Sequence, residues 1–216
     1  CVSYDGFDET EQTQFPTMIE ETAKIEEYIK EHYDGKICAA YGCSLGGSFV
    51  GLMAARGVIH MDYGILGGSD LDQSGRIPAK PMTALPMIYP FLTTGRFRLP
   101  FLNRKLEKWR KAGDGYVDAF IGMMRGAGVD LSFITKESLR NQFYSDLITP
   151  LPDAIDPAGT EIHILYALKM GEKYRARYHR HFAHPVLHEL DMQHEELLAV
   201  HPKEWVELIE DICRQK

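Results

Sequence analysis

Cysteine is scarce in this sequence. Its 216 residues hold four, Cys1, Cys38, Cys43 and Cys213, with no CxxC spacing among them. Neither a zinc ribbon nor a disulfide framework is therefore indicated, and a reducing, cytoplasmic location is the expectation. Cys38 and Cys43 fall in or beside an apolar run and are expected to behave as small core hydrophobes. No apolar run approaches the ~18 residues that would suggest a membrane-spanning helix. No signal peptide, internal repeat or low-complexity segment is visible. A basic excess is missing too. Lys and Arg number 24 against 31 Asp and Glu, a formal charge of −7, which argues against a nucleic-acid partner. One basic stretch, Lys169 to His184 with Lys173, Arg175, Arg177 and Arg180, reads as a solvated helix face. Its histidines His179, His181 and His184 do not make a metal site. The i, i+2 spacing splits His179 from His181 across helix faces, and no cysteine or paired carboxylate joins them.

What is present is an alternation of strand and helix. Cys1 to Tyr4 reads as the end of a strand, with Asp5-Gly6 as a turn. Thr17 and Glu20 form a capping box for a helix. Met18, Thr22, Ile25 and Ile29 recur at helical spacing, with Glu20, Glu21, Lys24, Glu26 and Lys30 facing outward. The helix is expected to stop near Tyr33-Asp34-Gly35. A buried strand over 36–41, a helix to about Arg56-Gly57 and a strand over 61–67 follow. This order predicts an α/β fold with a parallel sheet and helices on its faces. From Leu71 to about Asp156 prolines and helical stretches take over, at 105–112, 116–125 and 136–147, rich in Met and Phe. A helical insertion over a sheet would look like this. Strand–helix order then returns, with strands at 161–168 and 186–190 around a helix over 173–182. A last helix starts at Pro202 and carries Trp205, Leu208, Ile209 and Ile212 as its stripe. The organisation expected is 1–70 as the first part of the core, 71–156 as the insertion and 157–216 as the second part.

The chemistry concentrates in Gly42-Cys43-Ser44-Leu45-Gly46-Gly47. The motif alone is compatible with a glycine-rich βα turn that only packs. Its setting, an apolar strand before and an apolar helix after, is the one in which a class of hydrolases presents a nucleophilic serine. Such a serine sits in strained backbone, and neighbours without Cβ let strand and helix approach closely. The turn also leaves the Leu45 N–H at a helix start, where backbone donors and the helix dipole favour a developing oxyanion. A serine nucleophile needs a base, and the base needs an orienting acid. Of nine histidines, His194 has the fitting position, in a loop between the last strand and the last helix. His201 reads as a helix cap.

These residues resemble the α/β-hydrolase superfamily over nearly the whole chain, most of all small bacterial esterases and monoacylglycerol lipases. The resemblance implies an eight-stranded type of sheet, mostly parallel, with helices on both faces and a helical cap. It implies Ser44 as nucleophile, His194 as general base and Leu45 N–H as one oxyanion donor, with no metal or organic cofactor. The acid has two candidates. Glu172 is nearest to the place after the penultimate strand where many relatives carry a carboxylate and this chain has Met170. Asp70 follows the strand that ends near Gly67. Glu172 is preferred; Asp72, Glu195 and Asp191 are weaker. Relatives carry further strands before the elbow and draw a second oxyanion donor from a loop there. Only 43 residues precede Ser44 and the sequence starts at Cys1 rather than Met. A further N-terminal segment of several tens of residues is therefore expected. The expected activity is hydrolysis of a small-molecule carboxylic ester with an apolar or small acyl group. A peptidase or acyltransferase on the same fold, and a non-catalytic ligand-binding protein, stay open. The sequence carries no sign of oligomeric state.

Overall fold

The computed structural model describes residues 1–11, 13–69, 71, 75–77, 85–113, 115–126 and 130–214. In chain order these form α1 (Met18–Tyr33), β1 (Lys36–Cys43), α2 (Leu45–Arg56), β2 (His60–Gly67), α3 (Leu85–Thr94), α4 (Pro100–Ala112), α5 (Tyr116–Met124), α6 (Lys136–Ile148), β3 (Glu161–Ala167), α7 (Glu172–His181), β4 (Val186–Leu190) and α8 (Pro202–Cys213). A 3₁₀ turn at Leu168–Met170 and a helical turn at Glu196–Val200 complete the described elements. The chain divides into two compact units. One holds Met18–Gln73, Thr149–Leu197 and His201–Lys216; the other holds Cys1–Thr17, Ser74–Ile148 and Leu198–Val200. Among the described residues no helix is long and apolar enough to cross a membrane.

The first unit is a parallel sheet in the order β1-β2-β3-β4. It has four strands among the described residues, where the resemblance implies an eight-stranded type. The register aligns Cys43 with Gly67, Gly67 with Leu165, and Leu165 with His188. The carboxyl ends of the strands thus gather at one edge, where open parallel sheets hold their ligand sites. Side-chain alternation along β3 sends Ile162, Ile164 and Tyr166 to one face and Leu165 to the other. On the first face lie Val50, Met53 and Ala54 of α2 and Tyr178 of α7, with Ile25 of α1 packed against them. On the second lie Tyr63 and Ile65 of β2 and Ile212 of α8, with Trp205, Leu208 and Ile209. The stripe expected for the last helix is therefore its buried face.

Several expectations need correction. Cys1 to Tyr4 is not a strand; Tyr4 and Phe7 instead set their rings edge-on to Phe15, which is 1 % exposed. Glu21 and Glu26 do not face outward, being 3 % and 1 % exposed. Glu26 receives Arg56 Nε at 2.9 Å and Nη2 at 2.9 Å, so a two-pronged ion pair joins α1 to the end of α2. Cys38 is exposed and Cys43 half-buried. Neither is a core hydrophobe, because β1 pairs with β2 alone among the described residues and is an edge strand. The stop of α1 is as expected. Asp34 and Gly35 take left-handed backbone, and the Gly35 N–H reaches the Ile29 carbonyl at 3.1 Å.

The second unit holds α3 to α6. The prolines that mark this region in the sequence conceal α3, which carries Pro90 inside it. The hydroxyls of Thr93 and Thr94 bond back to the Tyr89 and Pro90 carbonyls at 2.9 and 2.6 Å. Residues 1–17 join α6 directly. Ser138 Oγ accepts the Phe15 N–H at 3.2 Å and Asn141 Nδ2 donates to the Phe15 carbonyl at 3.1 Å.

Candidate active site

Ser44 stands between β1 and α2 with φ 50° and ψ −115°, a backbone that non-glycine residues rarely hold. Two backbone–backbone bonds help to keep it there. Its N–H donates to the Gly67 carbonyl at 2.7 Å, and its own carbonyl accepts the Gly47 N–H at 2.9 Å. The motif glycines are needed for close approach. A Cβ on residue 42 would lie 2.1 Å from the Gly46 carbonyl oxygen, and one on residue 47 would lie 2.5 Å from Ser69 Cβ. Glycine at both places lets β1 run under the first turn of α2 and lets α2 sit down on the chain leaving β2. Leu45 is the first residue of α2, so its N–H has no intrahelical acceptor and points out of the helix start.

His194 lies between β4 and the helical turn at 196–200. Its loop is fixed at both ends. The Lys169 N–H donates to the Met192 carbonyl at 3.3 Å, and the Gln193 N–H to Glu196 Oε2 at 2.5 Å. The imidazole is packed against Gly68, the residue just beyond β2. A Cβ there would lie 2.9 Å from His194 Nδ1 and 2.4 Å from Glu195 Oε1. Just past Gly68 the chain is pinned by the Tyr178 hydroxyl, which donates to the Ser69 carbonyl at 2.5 Å. The sequence marks Gly67-Gly68 only as a turn. Its role as the space that admits the histidine was not legible, because the partner is 126 residues away.

Glu195 links the two halves. It is 7 % exposed, with left-handed backbone at φ 56°. That conformation turns its carboxylate to the elbow. Oε1 accepts the Ser44 N–H at 3.1 Å and Oε2 accepts the Tyr41 hydroxyl at 3.3 Å. Burial first, and then the Glu195 charge, hold the Tyr41 phenol and the Cys43 thiol well above their ordinary ranges. Both therefore stay protonated and serve the carboxylate as donors. Tyr41 is held in turn by the Trp205 ring, edge-on at 5.0 Å. From sequence Glu195 was one of the weaker candidates for the acid; what the structure gives it is a hold on the nucleophile's backbone.

The two leading acids differ in placement. Glu172 opens α7 with its side chain 78 % exposed and its carboxylate 3.0 Å from Arg175 Nε. Arg175 also reaches Glu189 at 2.6 Å. The structure thus turns Glu172 to solvent and to an ion pair on α7. Asp70 and Asp72 lie outside the described residues. In the basic stretch around α7, Arg180 meets Asp153 at 2.9 Å, and Lys173 and Arg177 lie over the Tyr174 ring. Among the described residues no three His, Cys, Asp or Glu side chains gather as a metal site.

No protein-family model and no curated protein sequence matches the chain. Solved structures do. An alpha/beta hydrolase family protein from Desulfitobacterium hafniense is similar at a TM-score of 0.73 and 20 % identity, over 97 % of this chain and 82 % of that one. A lipase-esterase related protein from Clostridium acetobutylicum is similar at 0.60 and 12 % identity, over 96 % and 80 %. MenH from S. aureus is similar at 0.60 and 11 % identity, over 95 % and 79 %. A likeness at such identities is one of fold. The fold of the chain is that of the α/β-hydrolase superfamily.

Proposed function

We propose that the chain is a serine hydrolase that cleaves carboxylic esters. The observation that carries this is the strained Ser44 at the strand–helix turn, with the His194 loop tied to the same turn through Gly68 and Glu195. In this reading Ser44 Oγ attacks the ester carbonyl while His194 takes its proton. The oxyanion that forms is met by the Leu45 N–H at the positive end of α2. His194 returns the proton to the departing alkoxide, leaving an acyl-serine and a free alcohol. Water, deprotonated by the same histidine, then releases the carboxylic acid and restores Ser44. The ester rather than peptide reading draws on the likeness in fold to the lipase-esterase related protein from Clostridium acetobutylicum.

Asp70 is the acid this reading now favours over Glu172. His194 Nδ1 lies against Gly68, two positions before Asp70 in the sequence. The Glu172 carboxylate is engaged with Arg175. Turnover of p-nitrophenyl esters of graded acyl length, beside peptide p-nitroanilides, tests both points. Ser44→Ala and His194→Ala are expected to lower ester kcat/KM by about 10³-fold or more. Asp70→Asn is expected to lose about 10²-fold or more, because an amide cannot stabilise the imidazolium. Glu172→Gln should stay within about twofold, as exposed substitutions do. A collapse of activity in Glu172→Gln with Asp70→Asn intact would reverse the assignment.

A further inference from the structure

The second unit carries a surface that hydrolysis does not call for. Between Arg96 and Lys111 stand seven Lys and Arg residues against one acid, Glu107, in a chain whose net charge is −7. Most of this run is α4, and the helix sorts it. At 100° per residue Phe101, Leu102, Leu106 and Trp109 fall on one side, and Arg104, Lys108 and Lys111 on the other. Leu102 and Leu106 are half-buried. Arg110 pairs with Glu107 at 3.1 Å and with Asp118 of α5, which fixes the helix on its neighbour. That leaves the two largest apolar side chains of α4 in water, Phe101 at 62 % and Trp109 at 53 % exposed. Lys105 stands between them, its ammonium 4.7 Å from the Trp109 ring centre. Among the described residues no ion pair engages Arg96, Arg98, Arg104, Lys105, Lys108 or Lys111.

We propose that α4 is a membrane-surface helix that lays Phe101 and Trp109 into the headgroup region of an anionic bilayer. Exposed aromatic rings on a helix, flanked by unpaired cations, are the residue pattern that binds in the plane of such an interface. The aromatic rings supply an amphipathic body at headgroup depth. The cations meet the anionic lipid within a Debye length. A second copy of the chain is a poor occupant, since two faces of like charge would meet. A nucleic acid would use the cations and stack bases on the rings, but the net charge of −7 argues against such a partner. The inference rests on the second unit and stands whether or not Ser44 is a nucleophile.

Sedimentation of the protein with large vesicles of phosphatidylcholine alone, or of 70:30 phosphatidylcholine and phosphatidylglycerol, tests it. Partitioning is expected on the anionic vesicles, at least tenfold above the neutral ones, and lost at high salt. Lys105→Glu with Lys108→Glu should lower it tenfold or more, and Phe101→Ala with Trp109→Ala severalfold. Near-unchanged circular dichroism would show that each variant folds. Tryptophan emission should shift blue on the anionic vesicles and fail to do so in Trp109→Phe. Absence of partitioning, or partitioning that neither variant changes, would overturn the proposal. So would retention on a polyanion resin by a protein that ignores both vesicles.

Discussion

Glu195 separates geometry from chemistry at the elbow. Its carboxylate accepts from the Ser44 N–H and the Tyr41 hydroxyl, yet the proposed reaction passes no proton through it. Replacement by alanine would take this acceptor from the half-buried Tyr41 hydroxyl, at a cost of about 1–2 kcal/mol, while the Ser44 N–H keeps the Gly67 carbonyl. Glu195→Gln keeps an oxygen at the same reach and should recover most of that loss. Chemical denaturation of the two variants beside wild type checks the ordering. Gly68→Ala should behave differently. Its added methyl would press on His194 Nδ1 and Glu195 Oε1 from a residue at φ +55°. We expect ester kcat to fall more than tenfold with a smaller loss of stability. At this scale the sequence made the places of Ser44, Leu45 and His194 legible, at a strand–helix turn, at a helix start and in the loop after the last strand. Glu195 and Gly68 were not legible, because their roles depend on a left-handed residue that turns a carboxylate back onto a strand far away in sequence.

Among the elements, α1 and α2 are joined through one buried ion pair. Glu26 is 1 % exposed and its partner Arg56 has a side chain 31 % exposed. Removing Glu26 would leave a half-covered guanidinium facing a hole. Glu26→Ala is expected to cost about 2–3 kcal/mol, below the full value of a wholly buried pair because water reaches Arg56. Glu31→Ala, at an exposed position of the same helix, should stay within about 0.5 kcal/mol. Urea unfolding of both variants measures the contrast. Periodicity placed α1 well but could not tell Glu26 from Glu20, since both are helical glutamates and only the neighbouring helix distinguishes them. The same holds for α3. Pro90 reads as a breaker in a sequence, whereas threonine hydroxyls bond the carbonyls around it in the fold. Elements with a clean apolar period, β3, β4 and α8, were legible nearly to the residue.

For the whole molecule, stability should depend on pH through a histidine pair inside the sheet unit. His163 Nδ1 and His188 Nε2 lie 2.9 Å apart, and the Tyr63 ring meets His163 edge-on. Burial holds both imidazoles below their ordinary value of 6.5, and for His188 the neighbouring His163 adds to it. Glu161, 3.6 Å from His163 Nε2, opposes the shift without reversing it. In the unfolded chain the two rings take up protons around pH 6.5, while in the folded chain they resist. The unfolded state therefore binds more protons as pH falls, and stability is lost downward from about 6.5. Thermal unfolding should show Tm falling between pH 7.5 and 5, with a shallower slope in His188→Gln. Long-range pairings of this kind, and the attachment of residues 1–17 to α6 through Phe15 and Ser138, have no local pattern to announce them. The α/β alternation does, and so the fold class could be foreseen when these contacts could not.

The central claim is that Ser44 is a nucleophile, and a fluorophosphonate probe tests it most directly. Intact-mass spectrometry should show one adduct per chain, peptide mapping should place it on Ser44, and Ser44→Ala should remain unlabelled. A wild-type protein that takes no adduct, or a Ser44→Ala variant that labels as well as wild type, would contradict it.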